Sequence, residues 1–132
     1  MISGSVIAIA DPAVTGKPII SVTVSNASDE QLSIPFQAAV DAGFTGFLTL
    51  RPEAITQPGL PFIANQPAEL ADGAIGHYDV YAGRIVWHDQ QRLIPIFSVD
   101  SDPLVGMALL WNSRLTMDIV PDGRVTITPL PS

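Results

Sequence analysis

Short runs of alternating apolar and polar residues, rich in valine, isoleucine and threonine, dominate the chain. Such runs are typical of β-strands, because a period of two places successive side chains on opposite faces of a sheet. We predict strands in eight segments: 4–10, 18–25, 33–41, 46–50, 77–88, 92–100, 114–120 and 124–130. The turn sequence PDG joins the last two, which indicates a hairpin.

Proline and glycine mark the places where these strands end or bend. Residues 10–18 are predicted to form a turn, and residues 57–73 are the most loop-like segment. Gly83 interrupts the alternation of 77–88 and predicts a bend or a bulge. Pro95 cannot donate a ladder hydrogen bond, so it predicts a sheet edge or an irregular position.

Helical signal is confined to two short segments. Residues 51–59 contain Pro52, which suits a first helical turn, and end at a Pro-Gly pair that stops the helix. Residues 106–112 are the second candidate, and the 12 prolines of the chain disfavour longer helices. We therefore expect an all-β fold with one or two short helices, formed as a single domain over residues 1–132.

Composition and charge exclude several classes of function. The chain has no cysteine, which excludes disulfides and thiolate chemistry. Its net charge is −7, and its six basic residues are scattered, so we expect no nucleic-acid partner and no binding to an anionic membrane. Neither a signal peptide nor a membrane-spanning run is visible, which favours a cytoplasmic protein. A mean hydropathy of +0.34 indicates either a large core or an apolar surface covered by a partner.

Common metal and catalytic motifs are absent from the sequence. The DSD sequence at 100–102 would need Gly and Glu at the sixth and twelfth positions of a calcium loop, where the chain has Val105 and Trp111. His77 and His88 lie at opposite ends of one predicted strand, too far apart to share an ion. No G-x-S-x-G, P-loop or G-x-G-x-x-G motif occurs, although spacing alone leaves open a Ser-His-acid set assembled by the fold. We expect no metal and no cofactor.

Asp41 is the only carboxylate in the apolar segment AVDAGFTGFLTL, residues 39–50. Asp-x-Gly suits a turn at the end of a strand, which is one interpretation. A charged group between apolar strands is costly unless it is used, which favours a reactive acid as the other. About sixty residues later, an apolar-apolar-Gly triplet at 104–106 precedes the second short helix.

The order and spacing of these segments resemble those of the retropepsin-like aspartic proteases, the single-lobe, dimeric relatives of pepsin. In that family a D-T/S-G triplet after an apolar strand carries the catalytic acid, a glycine-containing flap follows, and an apolar-apolar-Gly triplet precedes a short helix. The resemblance extends over roughly residues 4–128 and implies an acid-protease barrel. Taken alone, ADGAIG at 71–76 is also a good generic hairpin turn.

The resemblance assigns a role to eleven residues. The catalytic acid is Asp41, and its loop contains Ala42 and Gly43. The flap, which would bind substrate, contains Asp72, Gly73, Ala74, Ile75 and Gly76. Structural support for the catalytic loop comes from Leu104, Val105 and Gly106.

A catalytic acid that occurs once per chain implies a homodimer. The family mechanism needs two carboxylates that share a proton, and the chain contains a single D-[TSA]-G triplet. The resemblance therefore implies a two-fold dimer acting on a peptide or protein substrate. We expect the terminal segments 4–10 and 124–130 to contribute to its interface.

Ala42 is the one departure from the family pattern. The family has Thr or Ser there, whose hydroxyl bonds to the partner's loop, and alanine loses that hydrogen bond, worth about 1 kcal/mol. Two functions stay open: an active endopeptidase, with or without a loss of activity from Ala42, and an inactive dimerisation or peptide-binding module. An unrelated β-sandwich binding domain is a third alternative, because a fold does not fix a function.

Overall fold

The computed structural model describes residues 1–9, 15–69 and 75–131 and contains ten strands and two short helices in these ranges. The strands are β1 (Ile2–Ile9), β2 (Thr15–Asn26), β3 (Asp29–Val40), β4 (Leu48–Leu50), β5 (Phe62–Glu69), β6 (Ile75–Trp87), β7 (Gln90–Ser98), β8 (Leu104–Val105), β9 (Ser113–Met117) and β10 (Arg124–Pro129). The helices are α1 (Pro52–Thr56) and α2 (Met107–Leu110). The predicted all-β class with short helices is confirmed.

The described strands form one sheet in the order β5-β6-β7-β4-β8-β3-β2-β1-β10-β9. A further pairing, of Val24 with Ile85, joins β2 to β6, so that six of the strands form a ring. One set of apolar side chains of the ring strands is buried in a single core, together with Val125 and Ile127 of β10. No helix in the described ranges is long and apolar enough to cross a bilayer.

Two of the predicted loops contain strand. The prediction of a loop over 57–73 is wrong for β5, which pairs antiparallel with β6 along its whole length. Pro67 is tolerated because β5 is the outer strand, where one missing N–H breaks no second ladder. The predicted turn at 10–18 is wrong from Thr15 onward, since Thr15–Pro18 pair with β1; residues 10–14 lie outside the described ranges.

Gly83 and Pro95 have different explanations. Of the two alternatives predicted at Gly83, a bend or a bulge, the bulge is wrong: Gly83 pairs in register with Ile94 within an unbroken ladder. The bend stays a prediction. A Cβ at position 83 would lie 2.5 Å from the Ile96 side chain, so glycine here makes room for the core. The prediction for Pro95 is confirmed, because the pairing of β7 with β4 begins only at Ile96 and Pro95 has β6 as its single neighbouring strand.

The terminal strands already have strand neighbours within the chain. β1 lies between β2 and β10, and β10 lies between β1 and β9. β5 and β9 are the end strands of the sheet order. In the described ranges, Ile7–Ile9 of β1 also have a strand on one side only, because the ladder with β10 covers Ile2–Ser5 and the ladder with β2 continues to Ile9. If β1 takes part in an interface between two copies, it can contribute this edge as well as the exposed side chains of Ile7 and Ile9.

Candidate functional site

Asp41 lies immediately after the last residue of β3. Its backbone N–H donates a hydrogen bond of 2.9 Å to the carbonyl oxygen of Val105. That bond continues the parallel pairing of β3 with β8, in which Val40 is the partner of Val105. The structure thus brings two groups of residues predicted from sequence into direct contact, the Asp41 loop and the Leu104–Gly106 triplet.

The Asp41 loop, residues 41–47, closes around the end of β8. β8 lies between β3 and β4, parallel to the first and antiparallel to the second. Three successive N–H groups at the start of α2 donate to carbonyl oxygens of the loop. The donors are Gly106, Met107 and Ala108, and the respective acceptors are Phe47, Phe44 and Gly46, at 3.0, 2.8 and 3.1 Å. The first N–H groups of a helix have no partner within the helix, and here the loop satisfies them.

Gly106 is required by the close approach of the loop backbone. A Cβ at this position would lie 2.7 Å from the Phe44 carbonyl oxygen and closer still to that of Gly46. Both obstacles are main-chain atoms that already accept hydrogen bonds from α2, so they cannot rotate away. The glycine of the triplet therefore fixes how tightly the loop packs against β8.

The carboxylate of Asp41 is oriented by its own loop. Its Oδ1 accepts a hydrogen bond of 2.8 Å from the backbone N–H of Gly43, which is the geometry of an Asx turn. Asp41 is half-buried, whereas Ala42 and Gly43 are exposed. The middle of the loop is therefore exposed at the surface, while the Asp41 carboxylate is held at the end of β3.

Thr49 is a supporting residue that the sequence analysis missed. It is completely buried in β4, and its Oγ1 accepts a hydrogen bond of 2.9 Å from the backbone N–H of Leu104. The bond joins the strand after the loop to the strand that supports the loop. The available signal was a threonine between two leucines, but threonine is common in strands and does not by itself indicate a buried acceptor.

An ion-pair cluster holds the segment that leads into β8. Arg51 pairs with Asp100 at 3.0 Å and with Asp102 at 3.1 Å, and Lys17 lies 3.4 Å from Asp102. The hydrogen bond from Arg51, aided by Lys17, lowers the pKa of Asp102 from its ordinary 3.8. The DSD sequence thus forms salt bridges, and no three potential metal ligands come together within the described ranges.

The two strands that flank the predicted flap pair with each other as the arms of a hairpin. β5 and β6 pair up to Glu69 and Ile75, and Gly76 pairs with Ala68. The predicted flap residues Asp72, Gly73 and Ala74 lie outside the described ranges. Ile75 is 74% exposed.

A chain of aromatic contacts connects this hairpin to the Asp41 loop. The ring of Tyr78, on β6, stacks on Phe97 of β7 with centroids 6.3 Å apart. Phe97 in turn meets the edge of Phe44, in the loop, at 6.0 Å. Tyr78 is half-buried on the sheet face. Phe44 and Phe97 were not recognised from the sequence as connecting residues.

The arrangement provides one oriented carboxylate per chain on a supported loop with an exposed middle. A carboxylate in such a place can serve as a general base or, when protonated, as a general acid. Comparison with known proteins adds nothing to this geometry: the chain matches no family model, and no curated protein matches it.

Proposed function

We propose that the protein is a cytoplasmic, homodimeric aspartic endopeptidase with a retropepsin-like barrel, which hydrolyses peptide bonds in extended substrates. The observation that carries the proposal is the hydrogen bond of 2.9 Å from the Asp41 N–H to the Val105 carbonyl oxygen. It supports a catalytic acid at the end of an apolar strand, braced by an apolar-apolar-Gly triplet. The resemblance in sequence supplies the reaction class, and the local geometry is compatible with it.

The proposed site is completed by a second copy of the chain. Asp72 and Asp122 are each followed directly by glycine, so only Asp41 has the D-x-G spacing with a small middle residue. A two-fold axis near the loop would bring the two Asp41 carboxylates together. The exposed Ala42 and Gly43 leave the middle of the loop accessible for that approach.

The two carboxylates would divide the work of an acid and a base. Two like charges at close range cannot both ionise, so the pair holds one proton, and the pKa values belong to the pair. The ionised carboxylate takes a proton from a water molecule, whose oxygen attacks the scissile carbonyl carbon. The protonated carboxyl group stabilises the developing oxyanion, and a proton then passes to the amide nitrogen as the C–N bond breaks.

The β5–β6 hairpin would cover the substrate. An extended peptide that lies between the hairpin and the Asp41 loop can form backbone hydrogen bonds as an added strand does. Closure of a hairpin also excludes water from the reacting groups. The exposed Ile75 would meet the substrate or the partner's hairpin on closure.

Cleavage of a diverse peptide pool between pH 3 and 8 tests the proposal. Asp41→Asn should abolish cleavage, because an asparagine side chain cannot take a proton from the attacking water or donate one to the leaving amide. The variant protein should still fold. Asp29→Asn is a matched control: the Oδ1 of Asp29 accepts an equivalent hydrogen bond from the Gln31 N–H at 3.0 Å, outside the loop. Equal cleavage by the native chain and Asp41→Asn would overturn the proposal.

Subunit mixing tests whether the site is shared. If each active dimer needs both Asp41 residues, a tenfold excess of Asp41→Asn should lower the activity per native subunit by roughly tenfold after subunit exchange, since most native chains then sit in mixed dimers. Asp29→Asn in the same excess should not lower it. An unchanged activity in a mixture shown by sedimentation to exchange subunits would contradict a shared dyad.

Ala42 favours a second candidate function, an inactive dimerisation or peptide-binding module in the same fold. Alanine offers no hydroxyl to brace the partner's loop, and its side chain is exposed in the single chain. Ala42→Thr separates the two functions. An endopeptidase should become more active or more dimeric, whereas a chain that stays inert in both forms across the whole pH range is a binding module.

A further inference from the structure

A cleft of about 790 Å³ opens next to the end of the Asp41 loop, with which it shares Phe47, but Asp41 itself does not line it. It lies among the turn between β6 and β7, the end of α2 and the residues that follow β10. This volume is within the range of about 300–1,000 Å³ that is typical of sites for small molecules. None of its lining residues in the described ranges is acidic.

Both tryptophans of the chain line this cleft. Trp87 ends β6 and is 3% exposed, whereas Trp111 follows α2 and is 69% exposed. An indole is the largest apolar surface that a side chain can offer, and leaving one open to water at a concave site is unfavourable. Trp111 therefore provides a free face on which a planar group can stack.

Arg92 gives the cleft a cationic group. It is half-buried, and its guanidinium carbon lies 5.7 Å from the centre of the Phe47 ring, which holds the group against the cleft wall. In the described part of the chain, Lys17, Arg51 and Arg84 form ion pairs and Arg92 does not. A positioned guanidinium without a carboxylate partner is complementary to an anionic ligand.

The wall of the cleft also has unused polar atoms. The indole N–H of Trp87 and the Nδ1 of His88 are shielded from solvent and have no hydrogen-bond partner among the described residues. His88 is held in place by a contact of 2.8 Å between its Nε2 and the Ser113 hydroxyl. Shielded polar atoms are usually paired; these two lie beneath the surface of the wall, so they do not contribute to ligand contact.

We propose that this cleft binds a small aromatic anion, a planar ring that carries a carboxylate or sulfonate group. The acid group pairs with Arg92, and the ring packs against Trp111. Arg92 favours an acid over a neutral or cationic ligand, and the exposed indole and the concave shape favour a planar ring. The site is separate from Asp41 and does not depend on the proposed peptidase activity.

Because both tryptophans line the cleft, their fluorescence can report ligand binding there. Phenylacetate should change the tryptophan emission of the protein in a saturable way at pH 7. Phenylacetamide has the same ring without the charge and should bind at least about tenfold more weakly, because it loses the charge-assisted hydrogen bonds to Arg92. Equal affinity for the acid and the amide would overturn the proposal, as would the lack of a saturable change with either.

Four variants locate the binding, and a fifth separates this proposal from the peptidase proposal. Arg92→Gln should weaken phenylacetate about tenfold and leave phenylacetamide unchanged, whereas the exposed Arg124→Gln should affect neither. Trp111→Ala should weaken both ligands and Trp111→Phe should retain part of the affinity, with Trp87 as the reporter in both. Asp41→Asn should bind phenylacetate with the affinity of the native chain. A failure of the peptidase proposal can therefore be told apart from a failure of this one.

Three results would count against the site. An equal loss in Arg124→Gln and Arg92→Gln would mean that net charge, and not this cleft, attracts the acid. Unchanged binding in both Trp111 variants would place the ring elsewhere. An emission that changes with protein concentration in the absence of ligand would mean that a second copy of the chain covers the cleft.

Discussion

The N–H of Asp41 donates a hydrogen bond to the carbonyl oxygen of Val105, and this bond positions residue 41 through main-chain atoms only. Because no side chain takes part, the position of the Cα of residue 41 does not depend on the carboxylate. The carboxylate is oriented separately, by the N–H of Gly43. Position and orientation of the acid can therefore be tested by different substitutions.

Gly106→Ala should loosen the Asp41 loop. The added Cβ would lie 2.7 Å from the Phe44 carbonyl oxygen, and overpacking of this kind costs about 3 kcal/mol of unfolding free energy. Chemical denaturation measures the loss, and peptide cleavage should fall with it. Gly59→Ala is the comparison: its nearest neighbour is 3.8 Å away, so only the strain of a φ of +65° remains, about 1 kcal/mol. Equal losses would contradict a specific clash at position 106.

Thr49→Val should destabilise the junction of β4 and β8. Valine fills the same space but accepts no hydrogen bond, so the Leu104 N–H loses its partner. The expected loss is about 1–2 kcal/mol of unfolding free energy. Thr45→Val, at an exposed position in the loop, should change stability by no more than about 0.5 kcal/mol. Denaturant unfolding of both variants decides between a specific bond and a general effect of removing hydroxyls.

Asp102→Asn should lower the melting temperature at pH 7 and low salt. The pKa of Asp102 is held below 3.8 by Arg51 and then Lys17, so its stabilisation is present above 3.8 and is lost as the pH falls through the lower folded value. The difference in melting temperature between the native chain and the variant should therefore disappear at acid pH, and shrink at high salt. Asp122→Asn, at an exposed turn, controls for net charge. A difference that persists at acid pH would point to another cause.

His88→Gln should flatten the pH dependence of stability on the acid side of neutrality. Burial, with Coulombic repulsion that includes Arg92, lowers the pKa of His88 below 6.5, so the unfolded chain binds the proton first. The free energy of unfolding of the native chain should fall as the pH drops from 6.5 through the folded pKa. Thermal unfolding across this range measures the slope, with the exposed His77→Gln as the control substitution. A slope unchanged in His88→Gln would refute this assignment.

Structural features that depend on residues close together in the sequence were predictable, and features that depend on distant residues were not. β2, β3 and α1 were predicted because alternation and proline act within a few residues. β5 was missed because Pro67 within it, and Pro58 and Pro61 before it, indicate a loop locally, while the position of β5 as the outer strand makes Pro67 harmless. Gly83 was misinterpreted for the same reason: the side chains that require it, Ile96 and Val24, belong to other strands.

At the site, the sequence alone identified Asp41 as an acid at a strand end, and the triplet at 104–106 as a separate feature. The contacts that support the loop were not predictable, because Thr49 and Phe97 are ordinary strand residues until their partners are known. The cleft could not be predicted either. It forms only when Trp87 and Trp111, at the ends of different elements, come together.

By itself, the sequence determined the all-β class, the short helices and the position of one acid after an apolar strand, since these depend on local backbone preferences and on the period of the side chains. Only the tertiary structure decided that Asp41 bonds to Val105, that Val24 pairs with Ile85 to close the ring, and that both tryptophans face one cleft. Those relationships join residues far apart in the chain. Their register is set by which apolar faces pack together, and no local pattern encodes that choice.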